Sequence, residues 1–180
     1  MEPESKIFVK KSDIQGNGMF ARRAIKKNES VHFMTGQEIS LLKCIALILL
    51  RKVPVDNPLQ IEKWSYMILD ETSVAVNHSC DPNCTIVGKN ELIAIKDIEV
   101  GEEITFDYSL TVIPNFYTKY WKMTCGCGSE KCRKYVSNID SIGKNQLMSY
   151  LRNNEMQQYA LEFLKKNRPQ LLETTVGCSV

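Results

Sequence analysis

The chain has 180 residues, 43% hydrophobic and 24% charged. That suits one ordinary globular domain with a small appendage, able to bury roughly two-thirds of its surface. A formal net charge of +2, with basic and acidic residues interspersed, gives neither the basic stripe of a nucleic-acid binder nor the acidic block of a solvating tail, so no direct nucleic-acid readout is expected.

The opening "MEPESKIFVKK" has no apolar core behind a basic start, so it does not read as a signal peptide; the expected compartment is intracellular, with nucleus and cytoplasm undecided. "KIFVKKS" and "GMFARRAIKKNESVHFM" are strand-like pieces separated by the turn "DIQGNG", where Gly16 and Gly18 allow close backbone approach. Residues 39–52 suit a helix that Pro54 and Pro58 terminate. Its apolar run, Leu41 to Leu50, is interrupted by Lys43 and is about half of a membrane span, so it reads as a buried helix and no membrane partner is expected. "YMILDETSVAVN", "TIVG", "ELIAIKDI" and "EEITFDYS" are β-branched strand pieces, with turns at Gly88-Lys89-Asn90 and Val100-Gly101. Trp64 and Tyr66 read as one face of a strand. His32 reads as a strand-surface residue.

From Ile142 the pattern turns helical. Met156, Tyr159, Ala160, Phe163 and Leu164 share one face, with Asn154 as the expected N-cap and Pro169 just beyond the end. Such a face normally docks on its own domain; the alternative is a partner surface. The last residues, "ETTVGCSV", are expected to fray. There is no internal repeat.

Two stretches concentrate chemistry. "AVNHSCDPNC" places Asn77, His78, Cys80 and Cys84 within eight residues, and "TCGCGSEKCRK" places Cys125, Cys127 and Cys132 in a Gly-rich loop. Seven cysteines in a chain without a secretion signal favour free thiols or a metal over a disulfide framework. Three thiolates leave a structural zinc site one ligand short. Cys80 is the candidate fourth ligand, with His78 and Cys84 as competitors. Four thiolates and one Zn²⁺ would bring the formal charge to about zero.

"GNGMFA", "NHSCDPNC", "GEEITFDYS" and "CGCGSEKCRK" occur in this order, and together they make the chain resemble SET-domain protein lysine methyltransferases with a cysteine-rich post-SET segment, over about residues 5 to 136. The resemblance implies an α+β, mainly β fold: several small β-sheets around a pseudoknot in which the chain near Tyr108 passes beside Asn77 and His78. It divides the chain into a SET domain at 5–112 with a helical insert at about 39–65, a zinc-binding post-SET segment at 113–136, and a C-terminal helical extension at 137–180. It also implies S-adenosylmethionine as cosubstrate, held by Gly16, Asn17, Gly18, Asn77 and His78, and a structural Zn²⁺ held by Cys80, Cys125, Cys127 and Cys132. Where family members often carry a tyrosine two residues before a glycine, this chain has Met34 before Gly36, and Met34 is the candidate for that cofactor contact. Tyr135 is a candidate cover for the adenine, and Cys84 is left as a small buried residue.

The implied reaction is an in-line displacement in which a neutral lysine amine attacks a methyl on a sulfonium. Free lysine has a pKa near 10.4, so the site must favour the neutral amine, which an apolar channel does. Tyr108 of "FDYS" matches the catalytic tyrosine and Tyr66 of "WSYMILD" a second channel tyrosine; Phe106 and Asp107 support the fold. Ile93 stands where the family usually has Phe or Tyr, and its lack of a hydroxyl implies that di- or trimethylation is allowed. The implied partner is a lysine-bearing protein, with a histone tail leading and another basic protein second; oligomeric state is left open. Two rival classes are a silent binding module, which would show damage at Tyr108, Asn77 or residues 16–18, and a nucleic-acid-binding zinc protein, for which only Lys131, Arg133 and Lys134 lie near the cysteines.

Overall fold

A computed structural model describes residues 5–172; the segment expected to fray lies outside them. β1 (Ile7–Lys11) and β2 (Asn17–Ala21) form an antiparallel hairpin. β3 (Ser30–Phe33) and β4 (Gly36–Ser40) lead into α1 (Leu41–Leu49), followed by β5 (Pro58–Glu62) and β6 (Ser65–Leu69). β7 (Asn77–His78), β8 (Cys84–Val87), β9 (Glu91–Ala94) and β10 (Glu103–Phe106) complete the middle of the chain. After the short α2 (Tyr108–Thr111) come a two-stranded ribbon of β11 (Met123–Thr124) and β12 (Tyr135–Val136), then α3 (Lys144–Arg152) and α4 (Gln158–Asn167).

The sheets are small: β1-β2-β10-β7, β3-β9-β8, β4-β6-β5 and the ribbon. The mainly β, multi-sheet architecture expected from the motifs is present. One pairing positions the site. β10 runs antiparallel to β2 but parallel to β7, with Thr105 opposite Asn77 and Phe106 opposite His78. The chain entering Tyr108 therefore crosses beside the Asn77-His78 segment, as expected.

Three apolar clusters hold these pieces. The main one gathers Met19, Ile25, Met34, Ile61, Ile86, Leu92, Ile98 and Ile104 from several sheets. A smaller one joins Ile39, Leu41, Cys44 and Tyr66. The third packs Leu147, Leu151, Tyr159, Ala160 and Leu164 of α3 and α4 against Leu110, Ile113 and Ile139. The amphipathic C-terminal face thus docks on its own chain. Tyr159 clamps it, donating to Gln60 O at 2.9 Å and also contacting Thr111 O, while Thr85 Oγ1 donates to Glu155 O at 2.8 Å.

Several local expectations need correction. α1 is shorter than 39–52, capped by Ser40 accepting from the Lys43 N–H, and it is not a buried helix. Leu41 and Cys44 are buried, but Leu42, Leu49 and Leu50 are exposed, because α1 packs through one face while its apolar residues run all round. Asn154 does not cap α4. It sits at positive φ behind α3, whereas the N-cap of α4 is Gln157. Trp64 and Tyr66 do not share a face: Trp64 lies exposed in the β5–β6 turn and Tyr66 is buried on β6. His32 is half-buried and its Nε2 lies 3.1 Å from Ser73 Oγ, tying β3 to the turn at Ser73–Ala75. Cys84 is fully buried in the main cluster, as expected.

Candidate active site and metal centre

Asn77 sits at the crossing with its amide spent on three acceptors. Nδ2 donates to Gln15 O and Asn17 O at 3.1 Å each and to Glu103 Oε1 at 2.8 Å. The β1–β2 loop is therefore tied to the crossing by one side chain. Glu103 also accepts from Ser12 Oγ at 2.7 and 2.9 Å. The space left by the missing side chain at Gly18 is taken by this carboxylate: a Cβ there would collide with Glu103. Gly16, at φ +54, has open space where a Cβ would be. The two glycines differ in use, one making room for protein and one adopting a left-handed turn beside open space.

His78 joins this loop to two other groups. Its Nδ1 accepts from the Tyr108 N–H at 3.2 Å, which makes Nε2 the protonated nitrogen, and Nε2 lies 3.2 Å from Cys80 Sγ. Burial holds the imidazole well below its ordinary pKa, to about 4, although Asp107 opposes the shift.

Tyr108 donates its hydroxyl to Val76 O at 2.8 Å and packs against the rings of Phe106 and His78, with centroids 4.7 and 5.4 Å away. Burial pushes its pKa far up, so the phenol stays protonated. With its hydrogen committed to Val76, the oxygen has lone pairs left to accept. A cavity of about 60 Å³ opens beside it, lined by Tyr66, Phe106, Tyr117 and Trp121 with aliphatic neighbours. Tyr66 is buried and its hydroxyl accepts from Asn115 Nδ2 at 3.2 Å; burial lifts its pKa to about 12.

Cys80, Cys125, Cys127 and Cys132 bring their Sγ atoms within 4.8 Å of one another. A tetrahedron with Zn–S arms of about 2.3 Å has edges of about 3.8 Å, and Cys80 and Cys125 lie 3.8 Å apart. The four thiols fit a structural zinc. The competitors for the fourth place fall away: Cys84 lies in the apolar core, and His78 turns one nitrogen to Tyr108 and the other to Cys80 itself.

The metal loop is fastened to the crossing by Arg133. Its guanidinium is bidentate on Asp107, at 2.8 and 2.6 Å, and also donates to Ser109 Oγ at 3.1 Å and Gln146 Oε1 at 3.2 Å. Its backbone N–H lies 3.4 Å from Cys80 Sγ. Gln146 of α3 donates in turn to Cys80 O at 2.8 Å. Of the three cations near the cysteines, Arg133 is spent on Asp107 and Lys131 pairs with Asp81 at 3.0 Å, while Lys134 is exposed.

The structure therefore brings Asn77, His78, Tyr108 and the four cysteines together, with Gly16, Asn17 and Gly18 joined to them through Asn77 and with Tyr66 lining the same cavity as Tyr108. Met34 stands apart: it is fully buried in the main cluster, its carbonyl accepting from Asn90 Nδ2 at 2.7 Å. Ile93, half-buried on β9 between buried Leu92 and Ala94, is not among the residues lining the cavity. Tyr135 is half exposed on β12, with Lys122 Nζ 3.6 Å above its ring. Glu103 and Arg133 stood within the quoted motifs but carried no assigned role. Gln146 had no signal, because only tertiary packing takes a lone amide on α3 to the metal loop.

Comparison with known proteins gives a family. A model described as SET domain matches residues 16–109, more than half of the chain. The histone-lysine N-methyltransferase trithorax of Drosophila virilis is 41% identical over 69 residues, 34% of this chain and 2% of that protein. The histone-lysine N-methyltransferase NSD3 of Mus musculus is 29% identical over 147 residues, 74% of this chain and 10% of that protein. The histone-lysine N-methyltransferase trr of Drosophila melanogaster is 27% identical over 158 residues, 76% of this chain and 6% of that protein. The chain spans a tenth or less of the length of these curated relatives.

Proposed function

The chain belongs to the SET-domain family, and from that premise we propose that it is a protein-lysine N-methyltransferase using S-adenosylmethionine, with histone as the leading substrate. The observation that carries this reading is the placement of Tyr108: at the β10–β7 crossing, its backbone on His78, its hydroxyl on Val76 O, and its ring against an apolar cavity shared with Tyr66.

When bound, S-adenosylmethionine supplies a methyl on a positively charged sulfur. The loop of Gly16, Asn17 and Gly18, fixed by Asn77, offers the open face for it, beside His78. Tyr66 and Tyr108 line the approach of the lysine. The apolar cavity disfavours an ammonium and so lowers the pKa of the entering amine. Tyr108, protonated and hydrogen-bonded to Val76, does not take that proton; its oxygen would orient the amine and could accept weak C–H···O contacts from the methyl when S-adenosylmethionine is bound. Met34 belongs to this reading only as a buried member of the main apolar cluster. Ile93 offers no hydroxyl at the family's product-determining position; since it lies outside the cavity lining, the reading that more than one methyl can be added rests on the family resemblance alone.

The test is to incubate the chain with S-adenosylmethionine carrying a labelled methyl, core histones and a panel of basic proteins, and to locate the label by mass spectrometry. Label on lysine Nε, with di- or trimethyl products among the peptides, is expected. Label on another residue type, or no transfer to any of these proteins, would overturn the assignment. Strictly monomethyl product would overturn the reading of Ile93 alone.

A further inference from the structure

The cavity beside Tyr108 is apolar and aromatic, and no lysine or arginine lines it. One carboxylate does, that of Asp56, in the loop between α1 and β5. Asp56 is exposed and has no ion pair or side-chain hydrogen bond among the described residues. Its charge nevertheless reaches inward, being one of two carboxylates that act on the Tyr108 hydroxyl; the other, Glu103, is held by Ser12 and Asn77. An unspent carboxylate on the rim of an aromatic cavity has a definite preference. Anions are repelled, neutral chains gain nothing from the charge, and an alkyl chain ending in a cation satisfies both rim and walls.

We infer that Asp56 captures the ε-ammonium of the incoming lysine at the channel mouth, selecting a charged alkylamine over a neutral side chain of similar length. The inference rests on reading the cavity as the lysine channel. Asp56 itself takes no proton: the ammonium gives its proton to bulk water at the exposed rim before the neutral amine moves inward. A carboxylate favours the ammonium and so opposes deprotonation, which is why its place is the exposed rim; farther in, the apolar walls favour the neutral amine. Entry and reaction thus use different charge states at different depths.

The test titrates the full chain, ¹³C-labelled at methyl groups, with n-butylammonium chloride and with 1-butanol at low ionic strength. The methyl signals of Ile48, Val55 and Val76, which line the cavity, report binding at this site without any turnover. Butylammonium is expected to bind about 1.5-fold to fivefold more tightly than butanol, the range for an exposed ion pair. The preference fades with added salt, disappears in Asp56→Asn and survives in Asp56→Glu. An undiminished preference in Asp56→Asn would overturn the inference. Equal binding of both probes to the wild type would also overturn it and leave the channel standing, whereas no methyl shift with either probe would bring down the channel reading itself. In transfer to core histones, Asp56→Asn is expected to raise KM more than it lowers kcat; a loss confined to kcat would assign Asp56 a different role.

Discussion

Two residues with no side-chain chemistry of their own or none assigned from the motifs decide how the site is held. Gly18 is required by Glu103, and Glu103 holds both Asn77 and Ser12. Gly18→Ala should push the carboxylate aside and release the Asn77 amide. Hydrogen bonds to charged groups contribute about 1.5–3 kcal/mol, so affinity for S-adenosylmethionine should fall about tenfold or more by calorimetry while the chain remains folded; unchanged affinity would show that the clamp does not position the loop. Glu29 gives a pH signature elsewhere. Hydrogen bonds from Arg23 and Lys6 and from the Lys26 backbone hold its carboxyl down to about 2, from an ordinary 4.5. A depressed carboxyl stabilises the fold above its unfolded pKa and loses that contribution as pH falls through its folded one. Melting temperatures of wild type and Glu29→Gln should therefore differ above about pH 4.5 and converge toward pH 2. The difference should be modest and salt-sensitive, since the carboxyl keeps 26% of its side-chain surface in solvent and its partners Lys6 and Arg23 keep more. A gap that widens on acidification would contradict the assignment.

Among the elements, the metal loop and the C-terminal helices act as braces for the crossing. The loop joins it through Cys80 and through the Arg133–Asp107 pair, where Asp107 also caps α2 by accepting from the Ser109 N–H. Stripping zinc with a chelator should release this loop, lower the melting temperature and abolish methyl transfer, with readdition of zinc restoring both. Retention of activity after metal analysis shows the zinc gone would contradict the bracing role. α3 and α4 form a second brace. Tyr159→Phe leaves Gln60 O and Thr111 O without this buried donor. An unmet buried acceptor costs about 1–3 kcal/mol, and denaturant unfolding should show a loss of that size. A change below a few tenths would mean that apolar packing alone docks α4.

For the whole molecule, what was legible in the sequence follows from the range of the interactions. The alternation of β-branched strands and the Gly-rich turns are local, so the small-sheet architecture could be read. The four motifs carried the crossing and the cysteine cluster because their order is tied to one topology. The failures are tertiary. Leu42, Leu49 and Leu50 looked like core because an apolar helix normally buries all round, yet α1 meets only one neighbouring layer. Asn154 looked like a cap because its side chain suits one, but the chain reverses there in a left-handed turn and Gln157 takes the place. Glu103, Arg133 and Gln146 were not legible as site residues, since the bonds that tie them to the crossing, Glu103 to Asn77, Arg133 to Asp107 and Gln146 to Cys80, span 26 or more residues of chain. Asp56 was hidden for the same reason: only folding sets it at the mouth of the cavity with Tyr108.

The most direct measurement of the central claim compares wild type with Tyr108→Phe for both S-adenosylmethionine affinity and methyl transfer to lysine. The substitution removes one oxygen, which donates to Val76 O and faces the channel, and leaves the ring that packs on His78 and Phe106. Cofactor affinity should change little, while transfer should fall by about 100-fold or more, because alignment at the reacting atoms is lost. Transfer close to wild type in Tyr108→Phe, at intact zinc and equal cofactor binding, would contradict the account.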